Sequence, residues 1–436
     1  MKPATKILVL LTSINLVNYL DRYVVAAILE PLGKDLHLVD SQLGSLTVVF
    51  VVVYMLAAPI FGWLADRYHR PRLVAAGVAL WSIATMLAAF VHSYPMLLLT
   101  RSLVGVGEAA YATLGPAILS DVIPEDERAA KFTWFYLAIP LGSALGYGLG
   151  GIVAQYYGWR ASFIVAGLPG LILAGRMVLL SDPIRGALDH LPDLNTSASW
   201  LQKLGAIFKN RIWLACTGSY VGYTFAMGAL ATWAPTLLQR KFGVSVGEAG
   251  LVFGGLAVVT GILGTFMGGI LTGKLQHRWP DAGVWISGLT ILAAAPAVAW
   301  AVLSGHLHLT YALFFLGMLL LFVNTSPVNA LTVSCLPSSV RATGVALNVL
   351  FIHLFGDAIS PKLVGIISDH LGGGGGALGQ AMLVAVPAIL ISGVLLWWAR
   401  GFGGPLCRAH ADAMDDSQWQ GRSALRPLLP VDHRND

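Results

Sequence analysis

The sequence predicts an all-α membrane protein, with twelve transmembrane helices arranged as two pseudo-symmetric six-helix halves. Three observations carry this. Of 436 residues, 56% are hydrophobic and only 11% charged, a balance that water-soluble globular domains do not reach. The apolar residues fall into twelve runs, six on each side of one long polar stretch. Short motifs after the second and fourth runs are echoed after the eighth and tenth, as in a duplicated chain.

The first run, 7–29, opens behind Lys2 and Lys6 as a signal peptide would. However, Asp21 and Arg22 are followed by more apolar sequence to Leu29 and no small-residue cleavage site stands out, so it reads as a span. Runs at 41–64, 73–92, 95–120, 129–154 and 160–180 complete a first bundle over 1–180. The stretch 181–211, with Pro183, Pro192, Asn195, Thr196 and Ser197, reads as a cytosolic linker. Runs at 212–239, 246–273, 282–304, 308–334, 341–367 and 377–399 form a second bundle over 212–399, followed by a polar cytosolic tail, 400–436. Twelve spans of about 20 residues take up roughly 240 residues, which leaves no room for a large soluble domain.

Placing both termini in the cytosol puts fourteen basic residues on inner segments and four, Lys34, Arg160, Arg240 and Lys241, on outer loops. That satisfies the positive-inside rule, and the reverse orientation violates it. The expected location is therefore a bacterial inner membrane with both ends inside. The net charge of +5 is this topology signal rather than a nucleic-acid footprint. Gly372–Gly376 falls on an outer loop as a flexible tip and lacks the Lys-Ser/Thr of a phosphate loop. Cys216, Cys335 and Cys407 form no CxxC or Cys/His cluster, so neither a metal nor a cofactor is expected. No Walker lysine, HExxH or nucleophile elbow points to ATP-driven transport or an enzyme.

The internal echoes pair Gly62-Trp-Leu64-Ala-Asp66-Arg67 with Gly269-Ile-Leu271-Thr-Gly273-Lys274, 207 residues on, and Pro124-Glu-Asp-Glu-Arg128 with Pro337-Ser-Ser-Val-Arg341, 213 residues on. Gly62-x-Leu64-x-Asp66-Arg67-x-x-Arg70 resembles the loop signature of the major facilitator superfamily. Arg101-x-x-x-Gly105-x-Gly107-Glu108-Ala109 and Gly158-Trp159-Arg160-x-x-Phe163 are similar to other motifs of that superfamily, which implies the major facilitator fold. Within it, Asn18-Tyr19-Leu20-Asp21-Arg22-Tyr23, the segment Arg101–Tyr111 and Phe135-Tyr136 through Pro140, Gly142, Gly146 and Tyr147 resemble the Spinster family. That resemblance implies transport of lysophospholipids or sphingolipid-like molecules, with proton coupling in some members.

Charged residues at bilayer depth cost roughly 2.5–3.5 kcal/mol on insertion scales, so each needs a partner or a role. At about 100° per residue, Asn15, Asn18, Tyr19 and Arg22 share a face of the first span with Asp21 on its flank, while Arg101, Gly105, Glu108 and Ala112 form one stripe of the fourth. The two spans run antiparallel, so Arg22 and Glu108 reach similar depth and can meet. Glu108 is the expected carrier of a coupled proton, since burial and a guanidinium pull its protonation in opposite senses. The alternative is a permanent ion pair locking two helices. Arg101 is the expected contact for an anionic headgroup entering from outside, or part of an outer gate, against a capping or lipid-phosphate role. Asp21 is either a second proton site or a brace. Arg22, Arg101, Asn15, Asn18 and, from the family-like motif, Tyr111 are the expected substrate contacts.

In the second half, His353 and Asp357 at i, i+4 permit a proton relay or simply steady the packing, and Asn324, Asn329 and Tyr223 are candidate polar lining. Asp66, Arg67, Arg70, Asp121, Glu127 and Arg128 read as a cytosolic ion-pair gate. The glycines at 142, 146 and 150 allow close helix packing. The expected activity is proton-coupled transport of an amphipathic lipid by alternating access, by a monomer whose partners are that lipid, protons and the bilayer. A symporter or antiporter for a small organic anion or sugar is the alternative, and a transport-dead receptor or sensor a third reading.

Overall fold

The computed structural model describes residues 3–185, 200–276, 278, 279, 281–336 and 338–399. Lys2, Pro337 of the second echo, Cys407, the linker segment 186–199 and the tail 400–436 lie outside the described residues.

The first six helices are α1 (Pro3–Asp35), α2 (Asp40–Ala65), α3 (Arg70–Ala88), α4 (Tyr94–Val122), α5 (Glu125–Tyr157) and α6 (Trp159–Val178). A short α7 (Trp200–Lys209) leads into α8 (Arg211–Phe242), α9 (Val246–Leu275) and α10 (Ala282–Leu303). The tenth predicted span is two helices, α11 (Leu307–Val323) and α12 (Thr325–Ser334), which break at the buried Asn324. The eleventh is α13 (Ser338–Phe351), a π-helical turn (Ile352–Asp357) and α14 (Ser360–His370). The last crossing begins with α15 (Gly374–Met382) and continues helical to residue 399. No strand occurs among the described residues, as expected where a bilayer leaves backbone groups only intrahelical partners.

Ten helices among the described residues are long and apolar enough to cross a membrane. The two remaining spans, α1 and α8, are 33 and 32 residues long but more polar. Large apolar side chains such as Leu56, Ile60, Ile172, Phe266 and Ile391 stand exposed on the outer faces, which suits lipid contact. The chain is thus an integral, multi-pass membrane protein.

One expectation about local structure is corrected, and the linker is found to carry a helix of its own. Residues 200–209 of the linker are helical, because Ile207 buries against Trp213, Leu336 and Val340, and Asn210 both caps α8 through Trp213 N (2.9 Å) and donates to Cys335 O (2.7 Å). The glycine run is not a loop throughout. Gly372, Gly373 and Gly374 take positive φ and turn the chain, and α15 then starts within the run.

α1 is held by α5, α6 and α8, α3 by α4 and α6, and α2 by α4. One of the close approaches is α1 on α5, where a Cβ added to Gly146 would lie 2.5 Å from Leu20 O, so only glycine fits. Trp81, Tyr111 and Phe135 fill the core among α1–α6, and Trp233, Phe253 and Phe314 fill that of the later helices. The two most extensive crossings between the sets are α2 with α14 and α5 with α9, and α1 on α8 adds a smaller one.

Candidate functional site

Between the two sets lies a cavity of about 240 Å³, walled by α1, α2 and α4 on one side and by α8 and the π-helical turn on the other. Arg22 and Arg101 line it from the first six helices, and Thr224, His353 and Asp357 line the facing wall. Leu29, Leu46, Phe50, Val51 and Met227 supply apolar surface.

Arg22 donates to Glu108 Oε2 through Nη2 (2.6 Å) and Nε (3.2 Å). The glutamate side chain is fully buried, whereas that of Arg22 keeps 24% exposure, so the pair has one member on the cavity and one behind it. Asp21, one residue earlier, points away and accepts from Thr85 Oγ1 of α3 (2.8 Å), the brace geometry. One oxygen of each acid, Asp21 Oδ1 and Glu108 Oε1, is buried with no hydrogen-bond partner, and so are Nε and Nη1 of Arg101. Two acids and two bases are therefore enclosed together, yet among the described residues only one ion pair joins them. Unpaired charges in a low-dielectric interior are expensive and persist where they have a use.

His353 Nδ1 lies 3.0 and 3.1 Å from the carboxylate oxygens of Asp357. The π-helical turn that displays them is secured by Thr224 Oγ1, which donates to Ile352 O (2.9 Å). Such turns recur at functional sites because they re-aim side chains within a continuous helix.

Several sequence-predicted residues are not on this wall. Tyr111 is buried against Trp81 and Phe135 and donates to Leu11 O (2.7 Å). Asn15 donates to Phe135 O of α5 (2.9 Å), and Asn18 is buried without lining the cavity. Helix α1 is contacted by neighbours on several sides, so sharing a face with Arg22 does not place a side chain on the cavity. Tyr223 packs on Tyr220 and Phe322. Asn329 donates to Tyr220 OH (3.0 Å) and Asn324 to Leu321 O at the helix break. Of the second-half candidates, the cavity takes only His353 and Asp357.

The cytosolic-gate candidates are anchored within the first six helices and the segment that follows them. Arg70 donates to Asp121 (2.5 Å), to Asp182 (2.9 Å) and to Pro183 O (2.7 Å). Asp66 lies 4.0 Å from Arg185, Arg67 stacks over Trp63 (4.0 Å), Arg128 donates to Ser120 O (3.0 Å), and Glu127 lies 3.9 Å from Lys131.

Sequence reading missed the polar lock at the opposite end, beside the α1–α2 turn. Arg240, at the end of α8, grips Asp40 through Nη1 and Nη2 (both 2.8 Å) and also donates to Glu30 of α1. Ser368 of α14 donates to Asp40 Oδ2 (2.6 Å), and Asp369 accepts from the backbone N–H of Asp40 (2.8 Å) and Ser41 (2.9 Å). The related α5–α9 crossing is neutral, with Gln155 accepting from Gly247 N (3.1 Å). A clustering of charge at helix ends 200 and 329 residues apart has no local signal; only the orphan N–H groups at the start of α2 hint at a capping partner.

Residues 11–361 match the profile of the Major Facilitator Superfamily. The chain is 33% identical over 446 residues to "Protein spinster homolog 1" of Xenopus tropicalis, covering 98% of this chain and 84% of that one. It is 36% identical over 389 residues to "Protein spinster homolog 1" of Homo sapiens, covering 84% and 73%. Its fold matches the crystal structure of a bacterial homolog to the human lysosomal transporter Spinster, in an inward-facing and unoccupied conformation, with a TM-score of 0.79 and 24% identity over 94% of this chain and 98% of that one.

Proposed function

From the premise that this chain belongs to the Spinster family of the major facilitator superfamily, we propose that it is a proton-coupled secondary transporter of an amphipathic lipid of the lysophospholipid or sphingolipid type. The observation that carries the reading is the buried Arg22–Glu108 pair at the edge of a cavity that Arg101 also lines, with two of its guanidinium nitrogens buried and free of hydrogen bonds. A proton on Glu108 removes the charge that holds Arg22. The released guanidinium, together with Arg101, then offers two positive charges to an acidic headgroup, while Phe50, Leu46, Val51 and Met227 give the tail an apolar wall. Protonation and headgroup binding are thereby linked: acid favours the substrate-competent arginine, and deprotonation re-forms the pair and favours release.

With the termini placed in the cytosol, the locked α1–α2 end faces outward and this arrangement is the inward-facing one. Breaking the lock and closing the opposite end completes alternating access. The second reading, a small organic anion as cargo, draws on the same two arginines and on the modest cavity volume. The test is flux of radiolabelled lysophospholipid, sugars and organic acids into proteoliposomes under an imposed pH gradient. Gradient-driven lysophospholipid flux supports the proposal; flux of organic acids alone moves the assignment to the second reading.

A further inference from the structure

Building on that reading of the cavity, we infer that Phe50 is a positioning residue: its ring keeps Arg101 apart from the Arg22–Glu108 pair, so that one guanidinium stays available to an acidic group entering the cavity. The ring lies 5.0 Å from the guanidinium carbon of Arg22 and 5.0 Å from that of Arg101. It is 3% exposed and forms part of the cavity wall. The backbone sets this placement. A Cβ on Gly105 would lie 2.7 Å from Phe50 O and 3.2 Å from Tyr54 N, so α2 presses against α4 at the glycine that stands one turn from Arg101 and one turn from Glu108.

The charge arrangement requires a separator. Asp21 Oδ1 and Glu108 Oε1 are buried without partners, and so are two nitrogens of Arg101. In a low-dielectric interior, opposite charges so enclosed attract strongly, and an unobstructed Arg101 would close onto one of these acids. An aromatic face opposes that closure in two ways: it fills the intervening space, and it attracts both cations through its quadrupole, most strongly when they are desolvated. Tyr19 and Tyr54 flank Arg22 at 5.0 and 5.6 Å, so the pair is also enclosed by rings on its other sides. The charged and titratable groups that bear on Glu108 are Asp21, Arg22 and Tyr19 from α1, Tyr54 from α2 and Arg101 on its own helix, with His353 and Asp357 across the cavity.

The test compares Phe50→Leu with Phe50→Tyr in proteoliposomes. Phe50→Leu lets Arg101 reach the acids, so lysophospholipid binding, followed as ligand-induced thermal stabilisation, weakens roughly tenfold. A second guanidinium also stabilises the carboxylate, so the pH midpoint of uptake moves to lower pH by about one unit. Phe50→Tyr keeps the ring and retains both values. In the double variant Phe50→Leu/Arg101→Gln the second cation is gone, and the midpoint rises back to that of the wild type or above it, because Arg101 also bears on Glu108 in the wild type, although binding stays weak. A Phe50→Leu protein that merely loses thermal stability, with midpoint and affinity unchanged, overturns the inference. Should that variant not fold, Phe50→Met, which is close in volume and has no ring, is read by the same criteria. Absence of pH-dependent lysophospholipid flux in the wild type counts against the transport reading instead, which keeps the two failures distinct.

Discussion

Replacing Asp40 with asparagine tests whether the lock beside the α1–α2 turn holds the observed arrangement. The carboxylate accepts both Nη groups of Arg240 at 2.8 Å and Ser368 Oγ at 2.6 Å, and its side chain is only 5% exposed. An amide keeps one acceptor but turns an NH2 toward two donors and leaves Arg240 with Glu30 as its only carboxylate. Breaking a buried charge pair costs about 3 kcal/mol at the low end of measured values. Because Arg240 and Ser368 reach Asp40 only while α8 and α14 stay against α1 and α2, that cost falls on this arrangement and not on one in which the end is open. At about 1.4 kcal/mol per decade, the population shifts by roughly a hundredfold. Thr47 lines the cavity, and a cysteine there, in a background with Cys216, Cys335 and Cys407 replaced by alanine, reports access. In sealed vesicles a membrane-impermeant maleimide applied at the α1–α2 end should label Thr47→Cys at least tenfold faster in the Asp40→Asn protein. The neutral counterpart supplies the control: Gln155→Ala loses an uncharged bond worth about 1 kcal/mol and should shift labelling far less. An unchanged labelling rate in a monodisperse Asp40→Asn protein would refute the reasoning.

Two further substitutions separate scaffold from site. Tyr111→Phe removes the bond to Leu11 O without touching the cavity, so the midpoint of thermal unfolding should fall by an amount corresponding to about 1 kcal/mol while transport kinetics stay at the wild-type level; a selective rise in KM would place Tyr111 in substrate binding after all. Arg70→Lys keeps the charge but loses the fork that engages Asp121, Asp182 and Pro183 O together, and detergent-solubilised protein should lose roughly 2 kcal/mol or more of stability, detected as a lower melting temperature. An unaltered melting curve would show that this cluster does not brace the bundle.

The features legible in the sequence were those governed by hydropathy and by helix periodicity. Apolar runs of bilayer length located the crossings, and the stripe of Arg101, Gly105 and Glu108 with the antiparallel run of α1 was enough to bring Arg22 and Glu108 together at 2.6 Å. Periodicity is silent about which neighbour a face meets. Tyr111 stands ten residues from Arg101, about 80° off its stripe at 100° per residue, and it turns into the core instead of the cavity. The break at Asn324 and the π-helical turn at Ile352–Asp357 escaped notice because both lie inside continuous apolar runs, where only packing partners such as Thr224 reveal the altered backbone. The Arg240–Asp40 lock was hidden for another reason. Arg240 counted only as one of four basic residues on outer loops, and its value comes from carboxylates brought to it by tertiary structure.

The proposed transport cycle turns on Glu108 as a protonation switch for Arg22, and its most direct test is the pH profile of lysophospholipid uptake by wild-type and Glu108→Gln protein in matched proteoliposomes. Glutamine has the shape of the protonated acid and cannot lose the proton, so the variant should bind substrate and show uptake that no longer varies with pH. Persistence of the wild-type pH profile in Glu108→Gln would contradict the switch and leave the pair as a fixed brace between α1 and α4.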